Sequence, residues 1–329
     1  MSGLETVIVI VVIALAFDFS NGWHDAANSI ATIVSTGVLS PGAAVLWAAF
    51  WNFIAAFVFG TAVASTVGRG MVRLELVNGR VLIAGLLGAI LWNAFTLILG
   101  LPTSSSHALM GGYGGAAVAS AGFRAIIASG WVKPILFIVV APFIGTFTAI
   151  VVSITTSWIV HRSAPSKVDR WFRRLQLLSA AGYSLGHGTN DAQKTMGIIT
   201  AALVSGGLLT TYSVPFWVIL TCHIAMGCGT MAGGWRVVRT MGQRITKLTP
   251  FGGFAAETAG AITLIGTAHF GIPVSTTHTI TGGIVRVGAS RRLTAVRWGV
   301  TQRIAWAWFL TIPGAAAMGA CICYVLIGR

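Results

Sequence analysis

Gly22-Trp23-His24-Asp25-Ala26-Ala27-Asn28-Ser29 returns 166 residues later as Gly188-Thr189-Asn190-Asp191-Ala192-Gln193-Lys194-Thr195. A second phrase, Leu101-Pro102-Thr103-Ser104-Ser105-Ser106-His107, returns 171 residues later as Ile272-Pro273-Val274-Ser275-Thr276-Thr277-His278. Both offsets are about half of the 329-residue chain. Polar phrases duplicated in the same order inside apolar sequence predict two halves folding onto one shared site, the construction of many secondary transporters.

The surrounding sequence belongs in a lipid bilayer. Apolar residues make up 55% of the chain and charged ones 9%, against about 25% charged in soluble domains. Mean hydropathy is +0.84. Apolar runs near 4–17, 43–64, 81–100, 134–160, 197–220, 214–234, 251–271 and 303–327 are continuous and do not alternate. They predict an all-α polytopic membrane protein and not a barrel. The N-terminus carries Glu5 but no basic stretch, so 4–17 reads as a retained membrane segment and not as a cleaved leader. Cys222, Cys228, Cys321 and Cys323 match neither a zinc nor a disulfide framework and are expected to be buried small hydrophobes.

A net charge of +14 could suggest nucleic acid, but the charges are placed otherwise. Of 21 basic residues, 20 fall in five clusters or at Arg329. The clusters are Arg69/Arg73/Arg80, Arg124/Lys133, Arg162/Lys167/Arg170/Arg173/Arg174, Arg236/Arg239/Arg244/Lys247 and Arg286/Arg291/Arg292/Arg297/Arg303. They sit between apolar runs, as in loops kept on the cytoplasmic side. No basic domain stands outside the membrane runs, so nucleic acid is not a partner.

The longest polar interval, 161–174, holds five of those basic residues and is expected in the cytoplasm, with the N-terminus outside. An odd number of crossings in the first half then inverts the second half relative to it, about a pseudo-two-fold axis in the membrane plane. Residues 1–329 are expected to form a single transmembrane domain. Repeat one covers about 1–160, the cytoplasmic loop about 161–174 and repeat two about 175–329. Neither copy alone could hide its polar phrases from lipid.

Four of the seven acidic residues, Asp18, Asp25, Asp191 and Glu257, lie in apolar or repeated sequence. A carboxylate at membrane depth costs about 3 kcal/mol on insertion scales, so it faces a cavity and a partner. Asp25 and Asp191 are repeat-equivalent. Gly22 and Gly188 near them predict broken helices whose free carbonyls join the carboxylates around a coupling cation, with His24, Asn28 and Asn190 beside them. Helix capping is the competing role for each Asp. Lys194 stands where the first copy has Asn28. It supplies a fixed positive charge next to Asp191, in place of a bound cation or as an attraction for an anion, unless it snorkels to the surface.

In the second phrase, Pro suits a helix start and Ser and Thr suit its cap. Thr103, Ser104, Ser105 and Ser106, and Ser275, Thr276 and Thr277, therefore read as tips of two re-entrant helical hairpins. Free N–H groups and hydroxyls there make an anion site. Each tip ends in a histidine, His107 or His278, read as structural support. Ser/Thr packing between helices is the alternative for a single such turn.

The four phrases resemble those of the inorganic phosphate transporter (PiT) family, which carries G-x-N-D-x-A-N twice and P-x-S-x-[ST]-H twice. Glu257, in Gly253-Phe254-Ala255-Ala256-Glu257, looks like a further carboxylate important for transport in that family, and its first-half counterpart is Leu86. The resemblance implies import of inorganic phosphate by cation symport. It also implies inverted repeats, re-entrant hairpins and a homodimer. Many bacterial members use protons and can accept neutral metal–phosphate complexes, whereas animal members use sodium. The short central interval is similar to that of a bacterial member, which implies the bacterial inner membrane.

His24 stands where the family motif has Asn, and Gln193-Lys194 where it has Ala-Asn. Lys194 would repel a sodium ion and a histidine titrates near neutral pH, so proton coupling is expected. Sodium-coupled phosphate transport and a sulfate or other oxyanion permease are the alternatives. No resident metal or cofactor is expected. An intramembrane hydrolase is disfavoured, because Ser106-His107 and Thr277-His278 are helix neighbours that do not face each other. A passive anion channel would share these features and differ in lacking concentrative uptake.

Overall fold

The computed structural model describes residues 3–327, apart from the side chains of Arg69, Leu74 and Arg291. Arg329 of the basic tally lies outside the described residues. Among them there are twelve α-helices and no strand. The first six are α1 (Gly3–Ser35), α2 (Pro41–Ile54), α3 (Ala62–Gly70), α4 (Gly79–Leu99), α5 (Ser105–Ala121) and α6 (Ala128–Val160). The second six are α7 (Pro165–Ser205), α8 (Phe216–Ala232), α9 (Trp235–Arg239), α10 (Pro250–His269), α11 (Thr276–Arg291) and α12 (Trp298–Ile327). The two sets match element for element. Pro142 inside α6 and Pro313 inside α12 keep the 171-residue offset of the hairpin phrases.

Local chemistry sets the ends. Ser40 caps α2 ahead of Pro41, and Asn78 caps α4 by accepting from the Val81 N–H at 3.1 Å. Gly100 closes α4 at φ 66°, a left-handed conformation that favours glycine.

The equivalent helices α1 and α7 run antiparallel. Going up α1, Asp18 meets Thr195, Ser29 meets His187 and Thr36 meets Gln176, so the partners descend α7. Two copies of one fold with opposed first helices are an inverted repeat. The hairpins cross between halves: α5 packs on α12, and α11 on α6. Repeat-equivalent His107 and His278 touch, with ring centroids 4.9 Å apart.

Four helices (Gly3–Ser35, Gly79–Leu99, Ala128–Val160 and Trp298–Ile327) are long and apolar enough to cross a membrane, and up to six spans result if each bent pair counts as one. Exposed Phe143, Phe147, Trp158 and Trp306 clothe the outer helices as a lipid-facing surface requires. At 41 residues, α7 is about 60 Å long and forms the buried polar axis.

Several expectations are corrected. The Asp phrases do not break their helices: α1 and α7 run uninterrupted through Asp25 and Asp191. The breaks lie between α2 and α3, which turn by 87°, and after α8, where the chain turns by 62°. The run 197–220 is split by the end of α7 at Ser205 and the start of α8 at Phe216. The interval 161–174 is loop only to Ala164; from Pro165 onward it is the first turns of α7. Cys222 and Cys323 are buried, but Cys228 and Cys321 are exposed on the outer surface.

The glycines of the first phrase serve close packing instead. A Cβ on Gly188 would lie 2.6 Å from the Asn52 carbonyl oxygen and 2.9 Å from its Cα, and Gly22 abuts the backbone of Met226 in the same way. α7 thus lies directly on α2, and α1 on α8. Gly188→Ala is expected to destabilise the protein by about 1–3 kcal/mol, as overpacking does. Thermal unfolding in detergent measures this, and a wild-type melting curve would refute the packing role.

Candidate anion and coupling-ion site

Both hairpins point their helix starts at the midpoint of α1 and α7. The first amides of a helix have no partner inside it. In α5 the His107 N–H is taken by Ser104 Oγ (3.3 Å) and in α11 the His278 N–H by Ser275 Oγ (3.2 Å). The amides of Ser105 and Ser106, and of Thr276 and Thr277, remain as the helix-start donors. Two positive helix ends therefore converge.

The hydroxyls divide by role. Ser104 and Ser275 act as caps. Thr103 Oγ1 is turned to Thr96 Oγ1 (3.0 Å) and His24 Nε2 (3.3 Å). Thr277 Oγ1 donates to Thr103 O (3.0 Å), tying tip to tip, and accepts from Asn28 Nδ2 (2.9 Å). Ser105 Oγ is buried and has no partner. Ser106 Oγ donates to Asp191 Oδ1 at 3.4 Å, and Thr276 Oγ1 to Asp191 Oδ2 at 3.0 Å. Asp191 thus receives one hydroxyl from each tip.

Lys194 completes this centre. Its Nζ donates to Asp191 Oδ1 (2.5 Å), to Val274 O of the second tip (3.0 Å) and to Ser106 Oγ of the first. All three ammonium hydrogens are used, and the side chain is 2% exposed, which excludes snorkelling. An unpaired buried charge would cost several kcal/mol; pairing and full hydrogen bonding offset that.

Asp25 bonds His24 Nδ1 through Oδ1 at 2.7 Å, and its Oδ2 is buried and unpartnered. Asp25, His187 and Asp191 each bring one ligand-type atom within 4.8 Å of the others. That spacing suits a small cation, but two sides of Asp191 are already filled by Lys194 and the tip hydroxyls.

Other predicted residues sit outside the centre. Asn190 braces the second hairpin, donating to Leu264 O (3.1 Å) and accepting from the Val274 N–H (3.5 Å). Glu257 is held by Gln176 Nε2 (3.0 Å) and Ser179 Oγ (2.5 Å). Ser179 precedes Asp191 by 12 positions on one helix, or about 18 Å, so Glu257 forms a separate polar site. His278 Nδ1 donates to Ile138 O (3.2 Å) and its ring stacks on Trp308 at 4.0 Å, which suits a supporting role.

Sequence reading passed over His187, which is 3.2 Å from Asp191 Oδ2, and gave no role to Asp18, which accepts from Thr195 Oγ1 at 2.6 Å. Asp18 carried a signal as an acid in an apolar run. His187 carried only its place immediately before the second Asp phrase, four residues ahead of Asp191.

A family model described as "Phosphate transporter family" matches residues 21–319. The chain belongs to the phosphate transporter family. A Rhizobium meliloti (strain 1021) protein named "Probable low-affinity inorganic phosphate transporter" is 54% identical over 316 residues, covering 96% of this chain and 94% of its own length. A Bacillus subtilis (strain 168) protein of the same name is 44% identical over 322 residues, covering 97% and 96%. A solved structure titled "The sodium-dependent phosphate transporter" superposes with TM-score 0.87 at 25% identity, covering 98% of this chain and 99% of that one. As a family member with this helical architecture, the protein is a multi-pass membrane transporter and not an enzyme.

Proposed function

We propose that this protein imports inorganic phosphate across the bacterial inner membrane by symport with protons. The observation that carries the reading is the Lys194–Asp191 pair seated where both hairpin tips meet. The tips offer four helix-start amides and the Ser105 hydroxyl to an oxyanion. The ammonium takes the place that a coupling metal cation would need, which leaves the proton as the coupling ion. This separates the reading from the solved relative named as sodium-dependent. The unpartnered Asp25 Oδ2 is an acceptor that suits the P–OH of hydrogen phosphate, whereas sulfate at neutral pH has no hydrogen to donate.

In this reading phosphate enters free or as a neutral metal–phosphate complex. The N-terminus faces outside, the basic 161–174 segment faces the cytoplasm, and two copies form a homodimer. Residues 1–329 act as one domain.

Uptake of labelled phosphate into proteoliposomes tests it. An inward pH gradient without sodium is expected to drive accumulation, a proton ionophore to abolish it, and excess sulfate to compete weakly. Accumulation driven by sodium with no pH gradient and indifferent to the ionophore would refute proton coupling.

A further inference from the structure

Proton-coupled import, on which this inference rests, requires a place where the proton rides. The hydrogen-bond chain around His187 identifies one. Thr230 Oγ1 donates its single hydrogen to Met226 O (2.9 Å), so toward Asn52 it can only accept. Asn52 therefore presents Nδ2 to Thr230 (3.0 Å) and Oδ1 to His187 Nδ1 (3.2 Å). A carbonyl oxygen accepts, so Nδ1 holds a hydrogen in either protonation state of the ring. Ser29 Oγ, at 3.4 Å, is a second and longer acceptor for it.

The other nitrogen is thereby constrained. His187 Nε2 is buried, has no hydrogen-bond partner of ordinary geometry and lies 3.2 Å from Asp191 Oδ2. In the neutral ring two acceptor atoms lie 3.2 Å apart inside the protein, and a turn of the imidazole would bring the axis of Nε2 onto Oδ2. One proton between them turns repulsion into a charge-assisted hydrogen bond. We propose that His187 Nε2 and Asp191 Oδ2 hold the transported proton between them, with Asn52 as the positioning residue that fixes the tautomer.

The surrounding charges favour this. Lys194 and Tyr183 on α7, Asp25 and Asp18 on α1 (with His24 behind Asp25), and His107 at the first tip face the pair, while His278 is turned to Ile138 O, Trp308 and His107. His223 on α8 bonds the Asn52 carbonyl oxygen at 2.9 Å, and Glu257 on α10 is held away by Gln176 and Ser179. Two central carboxylates, Asp25 and Asp191, face one ammonium. The proton supplies the second positive charge, so an anion binds beside the tips with the proton and is released when the proton leaves to the cytoplasm. Nδ1–H stays on Asn52 throughout. Repeat position 21 is Asn21, so only the second half carries this histidine.

The full chain in phosphate-loaded and phosphate-free proteoliposomes tests the inference. With an inward gradient of one pH unit, one-proton coupling gives the wild type about tenfold phosphate accumulation. His187→Gln is expected to retain gradient-free phosphate exchange at a reduced rate and to accumulate no phosphate. Tenfold accumulation by His187→Gln overturns the inference while leaving proton-coupled import intact. A wild type indifferent to the pH gradient instead overturns proton-coupled import and this inference with it. If His187→Gln yields no folded protein, Asn52→Leu serves. Its freed ring can place hydrogen on Nε2 while neutral, so accumulation should fall well below tenfold, and unchanged accumulation overturns the inference.

Discussion

Asp191→Asn is expected to abolish phosphate uptake, lowering it by at least about 100-fold. Asp191 is the acceptor on which both hairpins and Lys194 converge, with Lys194 at 2.5 Å, Thr276 at 3.0 Å and Ser106 at 3.4 Å. An amide keeps the shape but leaves the Lys194 ammonium buried without its counter-charge. Breaking a buried ion pair from one side costs about 3–5 kcal/mol, and about 1.4 kcal/mol is a factor of ten. The same logic makes the loss of stability reversible. Adding Lys194→Met to Asp191→Asn removes the orphaned charge, so the double variant should unfold at a higher temperature than Asp191→Asn alone and still not transport. Unfolding curves of the single and double variants, with labelled phosphate uptake, complete the cycle. Additive losses of stability would contradict the pairing.

Ser105→Asp is expected to leave the fold intact and silence the transporter by about 100-fold or more. Ser105 is the first residue of α5 and its hydroxyl has no partner. A carboxylate at this helix start meets the free amides and the positive helix end, which offset the cost of its burial. Those are the groups assigned to phosphate, so the new carboxylate is a permanent competitor for them. Most damaging substitutions in a core lower stability and activity together; this one should separate them. Wild-type uptake by a well-folded Ser105→Asp protein would place the anion elsewhere.

The extent to which the sequence reveals this architecture differs by feature. The repeat is legible because each half kept its polar phrases in the same order, and its inversion is expected from the basic 161–174 interval, which makes the two halves enter the membrane from opposite sides. The hairpin tips are legible because proline at a helix start and a Ser or Thr cap are local chemistry that needs no partner. The glycines of the Asp phrases are ambiguous in sequence. A glycine either permits a break or permits a backbone to come close, and only Asn52 and Met226, distant in the chain, decide for closeness. The Ser/Thr run hides a division of labour for the same reason. Ser104 and Ser275 are spent on their own helices, and Thr103 is spent on Thr96 and His24, while Ser105 alone is left open. His187 is unreadable without the fold, because its tautomer depends on Asn52 and Thr230, residues of two other helices.

The central claim is that both hairpin tips together bind the tetrahedral anion above the Asp191–Lys194 pair. Crystals of the wild-type protein soaked in arsenate, a tetrahedral phosphate analogue with an anomalous signal, test it most directly. An arsenic peak with oxygens about 3 Å from the amides of Ser105, Ser106, Thr276 and Thr277 is the predicted result. A peak contacting only one hairpin, or none at an arsenate concentration that blocks phosphate uptake, would contradict it.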